Sequence, residues 1–295
     1  MGGRVSVAVR DEHDPATLDR AADATLDRIE AWAGRLTRFD AASELSRLNA
    51  STAAAVAIGP TLTAILDWAR IADGLTDGLV DVAMLHARLA AEAGAAPSID
   101  TAALDGAGRR WSLTRRARGA VVHRDPDVLF DLDGVAKGWL ADRALAITPG
   151  ASAMVDGDGD IALRLAPGEA WSFGVADPGG SEAMLAVIAL RAPAARSAAW
   201  GLATSGTSAH RWTHSFGATH HLIDPRTRRP AETDVVQATV LADTARAAEA
   251  FAKVAVVVGA ERAFTRLDRP DVHGLLLLTD AGETRASEGM VRWLA

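Results

Sequence analysis

The order in which strand-like and helix-like segments follow one another constrains this chain most. Val5, Val7 and Val9 alternate with polar or small residues, the period of a strand. Asp14-Pro15 then supplies an N-cap and an N1 proline, and Leu18, Leu26, Ile29, Trp32 and Leu36 carry a helical period to about residue 36. A second helix is expected over Thr61–Ala72, ending near Gly74. Short strands are expected at Ala120–Val122 and Val128–Leu132, followed by a helix over Ala136–Ile147. Met154-Val155 and Ile161–Leu165 flank a glycine-aspartate turn. Further strands are expected near Trp171–Val175, Leu185–Leu190, Leu202-Ala203, His220–Ile223 and Val235–Leu241. A helix at Thr244–Val258 and an apolar run at Leu275–Leu278 complete the pattern. Strict βαβ alternation is missing, so the expectation is an α+β fold of mixed β-sheets with flanking helices, not a doubly wound parallel sheet. No repeat and no low-complexity linker divides the chain, and Ala90–Ala103 is the best candidate for a variable loop.

Composition removes several functions. The 295 residues contain no cysteine, which excludes disulfides, thiolate metal sites, cysteine catalysis and an acylated N-terminal cysteine. The net charge of -7 argues against a nucleic-acid binder, because no basic face would neutralise phosphates. Small basic clusters, Arg115-Arg116 and Arg226 to Arg229, suit at most one small anionic ligand. The first ten residues hold no long apolar run, so neither a signal peptide nor a membrane segment is expected, and the default location is cytoplasmic.

Several segments carry candidate chemistry. Asp156-Gly-Asp-Gly-Asp160 spaces three carboxylates like an EF-hand loop, but Ile161 stands at the sixth position and Pro167 at the twelfth, where glycine and a bidentate glutamate are needed. A tight turn whose backbone approaches a ligand fits better. Asp131-Leu-Asp-Gly-Val-Ala-Lys-Gly138 sits where a strand passes into a helix, with unpaired N–H groups that favour anions. Lys137 there offers a point charge to a phosphate or a partner to Asp131. His210, His214, His220 and His221 crowd into twelve residues. On a strand, His210 and His214 would share a face as a zinc pair, without a third ligand at helpful spacing. His221, before Leu222-Ile223-Asp224-Pro225, is placed as a general base near neutral pH, its alternative being a polar residue beside a turn. Glu249 and Lys253 lie four apart on one helix; by themselves they read as an exposed ion pair worth about 0.2–0.5 kcal/mol. Thr204-Ser-Gly-Thr-Ser208 reads as a polar turn. Serine-hydrolase, zincin and Rossmann signatures are absent.

Taken in order, six blocks resemble the ApbE family, the FAD:protein FMN transferases. Ser43-Glu-Leu-Ser-Arg-Leu-Asn49 is similar to the family's D-S-E-L-S-R-L-N, and Asp77-Gly-Leu-Val-Asp81 to D-G-x-F-D. Asp131 to Gly138 resembles D-L-G-G-[IV]-A-K-G, and Val155 to Ile161 resembles V-N-x-G-G-D-I. Ala203-Thr-Ser-Gly206 matches A-T-S-G, and His221 to Thr227 with Pro230 resembles H-I-I-D-P-R-T-G-R-P. The blocks span about residue 36 to 259.

The resemblance implies one flavin transferase domain over residues 1–295, with a flavin cleft between its lobes. It implies a reaction that uses FAD and Mg²⁺ to attach FMN through a phosphoester to a Thr or Ser of a target flavoprotein, releasing AMP. Phe39, Val80, Asp81, Val82, Asp131 and Lys137 fall at FAD-contacting positions, and His221 at that of the proposed base. The chain has no tyrosine, so a ring stacked on the flavin must be Trp, Phe or His. The family's metal positions fall on the Gly134 carbonyl, Glu249 and Lys253. The last two are departures from Asp and Thr. A lysine ammonium has only donors, so two readings stand: Mg²⁺ held by Glu249, the Gly134 carbonyl and phosphate oxygens, or Lys253 in its place as a monovalent cation. Further departures are Val82-Ala83, where the family has Pro-Thr, and Arg228, where it has a turn glycine. Three activities follow as expectations: transfer, FAD binding without transfer, and FAD hydrolysis to FMN and AMP.

Overall fold

The computed structural model describes residues 3–12, 14–95, 110–180, 183–214 and 217–295. Two compact units make up the chain: one of Glu30–Ala136 with Arg211–Ala231, the other of the described residues up to Ile29, Lys137–His210 and Glu232–Ala295.

The second unit is built on a seven-stranded sheet. In chain order its strands are β1 (Val5–Arg10), β5 (Ser152–Gly157), β6 (Ile161–Leu165), β9 (Ala198–Gly206), β14 (Val235–Ala242), β15 (Val272–Thr279) and β16 (Thr284–Ala286). They lie side by side in that order, each pair antiparallel. β7 (Ala170–Ala176) and β8 (Met184–Arg191) form a separate hairpin. The helices are most of α1 (Pro15–Leu36), α5 (Ala136–Ile147), α6 (Ala245–Val258), α7 (Ala260–Arg266) and α8 (Glu288–Val291). Asp14 accepts the Thr17 N–H at the start of α1, as an N-cap should. A core of Leu163, Leu165, Phe173, Ile188, Trp200 and Leu276 fills this unit.

The position of α6 comes from what its neighbours lack. A Cβ at Gly201 in β9 would fall within 2.2 Å of the Thr244 and Ala245 backbone, and one at Gly138 in α5 would fall 2.5 Å from the Ala245 carbonyl. Strand and helix therefore meet the first turn of α6 backbone to backbone. Twelve residues of α6 are buried, so it is apolar almost all round, as a helix in a core must be.

The first unit contains a three-stranded antiparallel sheet ordered β2 (Ala55–Ile58), β4 (Ala120–Arg124), β3 (Trp111–Arg115). Its helices are α2 (Glu44–Ala50), α3 (Pro60–Leu75) and α4 (Leu85–Ala93). Short pairs are made by β10 (Arg211–His214) with β11 (Gly217–His220), and β12 (Ile223–Asp224) with β13 (Arg229–Pro230). Ser43 caps α2 by accepting the Ser46 N–H, and the buried Arg124 donates to the Leu48 carbonyl near its end.

Three expectations are corrected. Val128–Leu132 is not a strand: the Asn49 amide donates to the Phe130 carbonyl and accepts its N–H, both at 2.8 Å, so a side chain stands where a neighbouring strand would. His220–Ile223 is broken at His221-Leu222 between β11 and β12. In the Ala90–Ala103 stretch, residues up to Ala93 belong to α4, and 96–103 lie outside the described residues. No helix among the described residues is long and apolar enough to cross a membrane.

Candidate active site

In the first unit, the segment after α3 turns through Asp77 (φ 49°) and Gly78 (φ 79°), and the Val80 N–H is received by Thr76 Oγ1. Val80 and Val82 are buried, while Asp81 is half-buried and accepts the Ala83 N–H. The Val82 carbonyl accepts the Asp131 N–H at 2.8 Å, so these two candidate segments run side by side. Asp131 in turn accepts the Asp133 N–H at 3.1 Å; burial, and then the Asp133 charge, push its carboxyl up. Gly134 follows in the turn that leads into α5. Phe39 is 72% exposed, with the Arg38 guanidinium 4.3 Å from its ring centroid. Such an open ring is free to stack on a planar ligand.

The four crowded histidines divide by role. His220 is structural: its Nδ1 accepts the Leu222 N–H, so its Nε2 carries the proton and donates to the Ala231 carbonyl at 3.0 Å. Burial lowers its pKa. His214 Nε2 lies 3.2 Å from the Ala91 carbonyl, and His210 sits outside β10 at φ 47°, so the shared-face zinc pair does not form. His221 is half-buried at the break between strands, and its carbonyl accepts from Arg88. Arg88 is a residue that local patterning did not single out. Buried itself, it pairs with Glu92 at 2.9 Å and Asp133 at 3.6 Å and stacks on Trp212, tying α4, the Asp133 turn and the His221 segment together. Arg228 adopts the left-handed conformation, with φ 55°, at a cost of about 1–2 kcal/mol.

In the second unit, Asp156 and Ile161 face each other across the β5–β6 hairpin, whose tip is Asp158 (φ 64°) and Gly159 (φ 90°). Positive φ at both positions suits a type I′ turn, so this segment is a hairpin loop. Its last carboxylate does something local spacing did not reveal: Asp160 is 1% exposed, and Lys137 Nζ lies 3.2 Å from its Oδ2, an ion pair off the hydrogen-bonding direction. Burial pushes the Asp160 carboxyl up to about 7, with Lys137 opposing; the charges of Glu249 and Lys253 reach it as well.

Glu249 and Lys253 are not an exposed helix pair. Glu249 is fully buried; its Oε2 accepts the Gly138 N–H at 3.0 Å and its Oε1 pairs with Lys253 Nζ at 3.2 Å. Of the Thr204–Ser208 segment read as a polar turn, Thr204–Gly206 is instead the end of β9, with Thr204 and Thr239 hydroxyls 2.8 Å apart across to β14.

These residues do not fit a magnesium ion. Mg²⁺ needs oxygen ligands at about 2.0–2.1 Å, and Lys253 offers only donors. Both oxygens of Glu249 are already engaged. An ion on Oε1 would stand no more than about 5 Å from the ammonium, a repulsion of roughly 6–7 kcal/mol at an effective dielectric of ~20. Among the described residues no group of three His, Cys, Asp or Glu is arranged to hold a metal.

Asp142 in α5 accepts the Ala245 and Arg246 N–H groups at 2.9 and 3.1 Å, supplying acceptors to the open end of α6. Burial raises its pKa to about 6. A carboxyl raised in the fold contributes stability below its unfolded value of about 4, and loses it as pH rises through about 6. Relative to wild type, Asp142→Asn is therefore expected to gain up to about 3 kcal/mol between pH 4 and pH 7 in urea unfolding. Equal differences at the two pH values would contradict this.

Comparison with known proteins agrees with this architecture. The model of the ApbE family matches residues 1–276, and the chain belongs to that family. It is 32% identical over 177 residues to the FAD:protein FMN transferase of Treponema pallidum, covering 55% of this chain and 47% of that protein. It is 24% identical over 315 residues to the Salmonella typhimurium protein of the same name, covering 99% of this chain and 84% of that one. The fold is similar to the ApbE protein of Thermotoga maritima, with TM-score 0.80, 21% identity, and coverage of 100% and 96% of the two chains.

Proposed function

We propose that this chain is an FAD:protein FMN transferase acting as one domain over residues 1–295. What carries the reading is the family match through residues 1–276, with relatives that bear that name. FAD is held by Phe39, Val80, Asp81, Val82, Asp131 and Lys137, the exposed Phe39 ring stacking on the flavin and Val80 and Val82 giving an apolar wall. In the reaction, the hydroxyl oxygen of a Thr or Ser on a target flavoprotein attacks the FMN phosphorus. The bond from that phosphorus to the bridging oxygen breaks, AMP leaves with that oxygen, and the hydroxyl proton passes to His221. The Arg88 bond to the His221 carbonyl fixes the segment that carries the base, so Arg88 is a positioning residue. The family's metal positions fall on Gly134, Glu249 and Lys253, and the cation supplied there is considered below.

His221→Ala is expected to lower FMN transfer by about 10²–10⁴-fold while FAD binding, followed by flavin fluorescence, stays within a few-fold. Transfer at the wild-type rate by this variant would remove His221 from the role of base.

A further inference from the structure

Two acid–base pairs lie buried or half-buried in the second unit: Asp160 beside Lys137 at 3.2 Å, and Glu249 beside Lys253 at 3.2 Å. Glu249 has no solvent exposure, and the Lys253 side chain only 13%. The i,i+4 spacing on α6 holds the ammonium against Oε1, while the Gly138 N–H holds Oε2. A carboxylate in this state has its counter-charge already and is aimed by two donors from two helices. The lysine adds what a ligand residue could not, a positive charge delivered by the fold itself. It also removes an oxygen ligand from the position that the family resemblance assigns to one.

We propose that Lys253 is a resident cation, and that this chain handles FAD without a divalent metal. The inference rests on the transferase reading for its chemistry. In that reaction negative charge builds on the phosphoryl oxygens and on the bridging oxygen that leaves with AMP. A fixed ammonium lowers the energy of that charge as a bound cation would, with smaller charge but no ion to recruit. Glu249 is then a positioning residue: it holds Lys253 and is not itself a metal ligand. The bond that forms is acceptor oxygen to phosphorus, the bond that breaks is phosphorus to the AMP oxygen, and the proton goes to His221. No oxidant, reductant or metal enters the balance.

The test uses the full chain with FAD, under EDTA in large excess over trace metal or with Mg²⁺. AMP release is followed with and without a fusion protein displaying an acceptor threonine, and Mn²⁺ binding to the FAD-loaded protein is read by electron paramagnetic resonance. The expected result is AMP release that changes less than about twofold between EDTA and Mg²⁺, with no stoichiometric Mn²⁺ bound. Lys253→Thr is expected to bind one Mn²⁺ and to become metal-dependent. Loss of wild-type AMP release in EDTA with recovery in Mg²⁺, or one Mn²⁺ bound to wild type, overturns the inference. If wild type releases no AMP under either condition, the transferase reading fails, and the Mn²⁺ spectra of wild type alone decide the cation question. Those wild-type arms do not depend on the variant folding.

Discussion

Glu249→Leu is expected to destabilise the fold by about 3–5 kcal/mol, because it leaves the Lys253 ammonium buried without its partner. The substitution removes two interactions at once. Oε1 no longer meets Lys253 Nζ, and Oε2 no longer receives the Gly138 N–H. Nothing else on α6 replaces them: its neighbours Ala247, Ala248, Ala250, Phe251 and Ala252 are all buried and apolar. Lys253 must then stay buried without its partner or pull its head toward solvent, although only 13% of its side chain is exposed. The double variant Glu249→Leu/Lys253→Met removes both charges in nearly the same volume and is expected to recover about 2 kcal/mol or more of that loss. Urea unfolding of wild type, both single variants and the double variant forms the cycle. If Glu249→Leu cost under about 1 kcal/mol, the pair would be behaving like an exposed one, and the buried-charge account of α6 would be wrong.

Gly201→Ala is expected to cost more than about 4 kcal/mol, or to leave no folded protein. The added Cβ would meet Thr244 C at 1.9 Å, Ala245 N at 2.0 Å and Thr244 O at 2.2 Å. These are backbone atoms, so no side chain can rotate away, and relief requires α6 to shift off β9. Such a shift would also carry Glu249 away from Gly138. Gly159→Ala is the control: its φ is 90°, but nothing lies within 4 Å of the new Cβ. It should cost only the left-handed strain of about 1–2 kcal/mol. Circular dichroism and urea unfolding distinguish the two. A folded Gly201→Ala with a loss no greater than that of Gly159→Ala would contradict the backbone-contact account.

What was legible in the sequence follows from which forces act locally. Val5, Val7 and Val9 fall in β1 although its burial does not alternate, whereas α1 keeps its period to Leu36 because Ile29, Trp32 and Leu36 are buried. The cap at Asp14 and the cap at Thr244 lie in the first turns they serve, so their signals were present in the chain order. Val128–Leu132 misled because its apolar run looks like a strand, yet the group satisfying Phe130 is Asn49, 81 residues earlier. No local rule reaches that far. The Glu249–Lys253 spacing is the same on a surface helix and in a core, and the spacing alone pointed to the surface. The run of alanine and valine around it carried the contrary signal, since a solvated helix would interleave more charge. Arg88 escaped because Glu92 is its only near neighbour in sequence; Asp133, Trp212 and His221 come to it through the fold. The structure gives some of the six family blocks physical content. Ser43 caps α2, Asn49 pairs with Phe130, and Asp158-Gly159 closes a hairpin.

The most direct measurement is the intact mass of an acceptor fusion protein after incubation with this chain and FAD. The transferase account predicts a gain of one FMN less one water on a single Thr or Ser, with one AMP released per modified target. An unmodified target beside a protein that has bound FAD and released no AMP would contradict it.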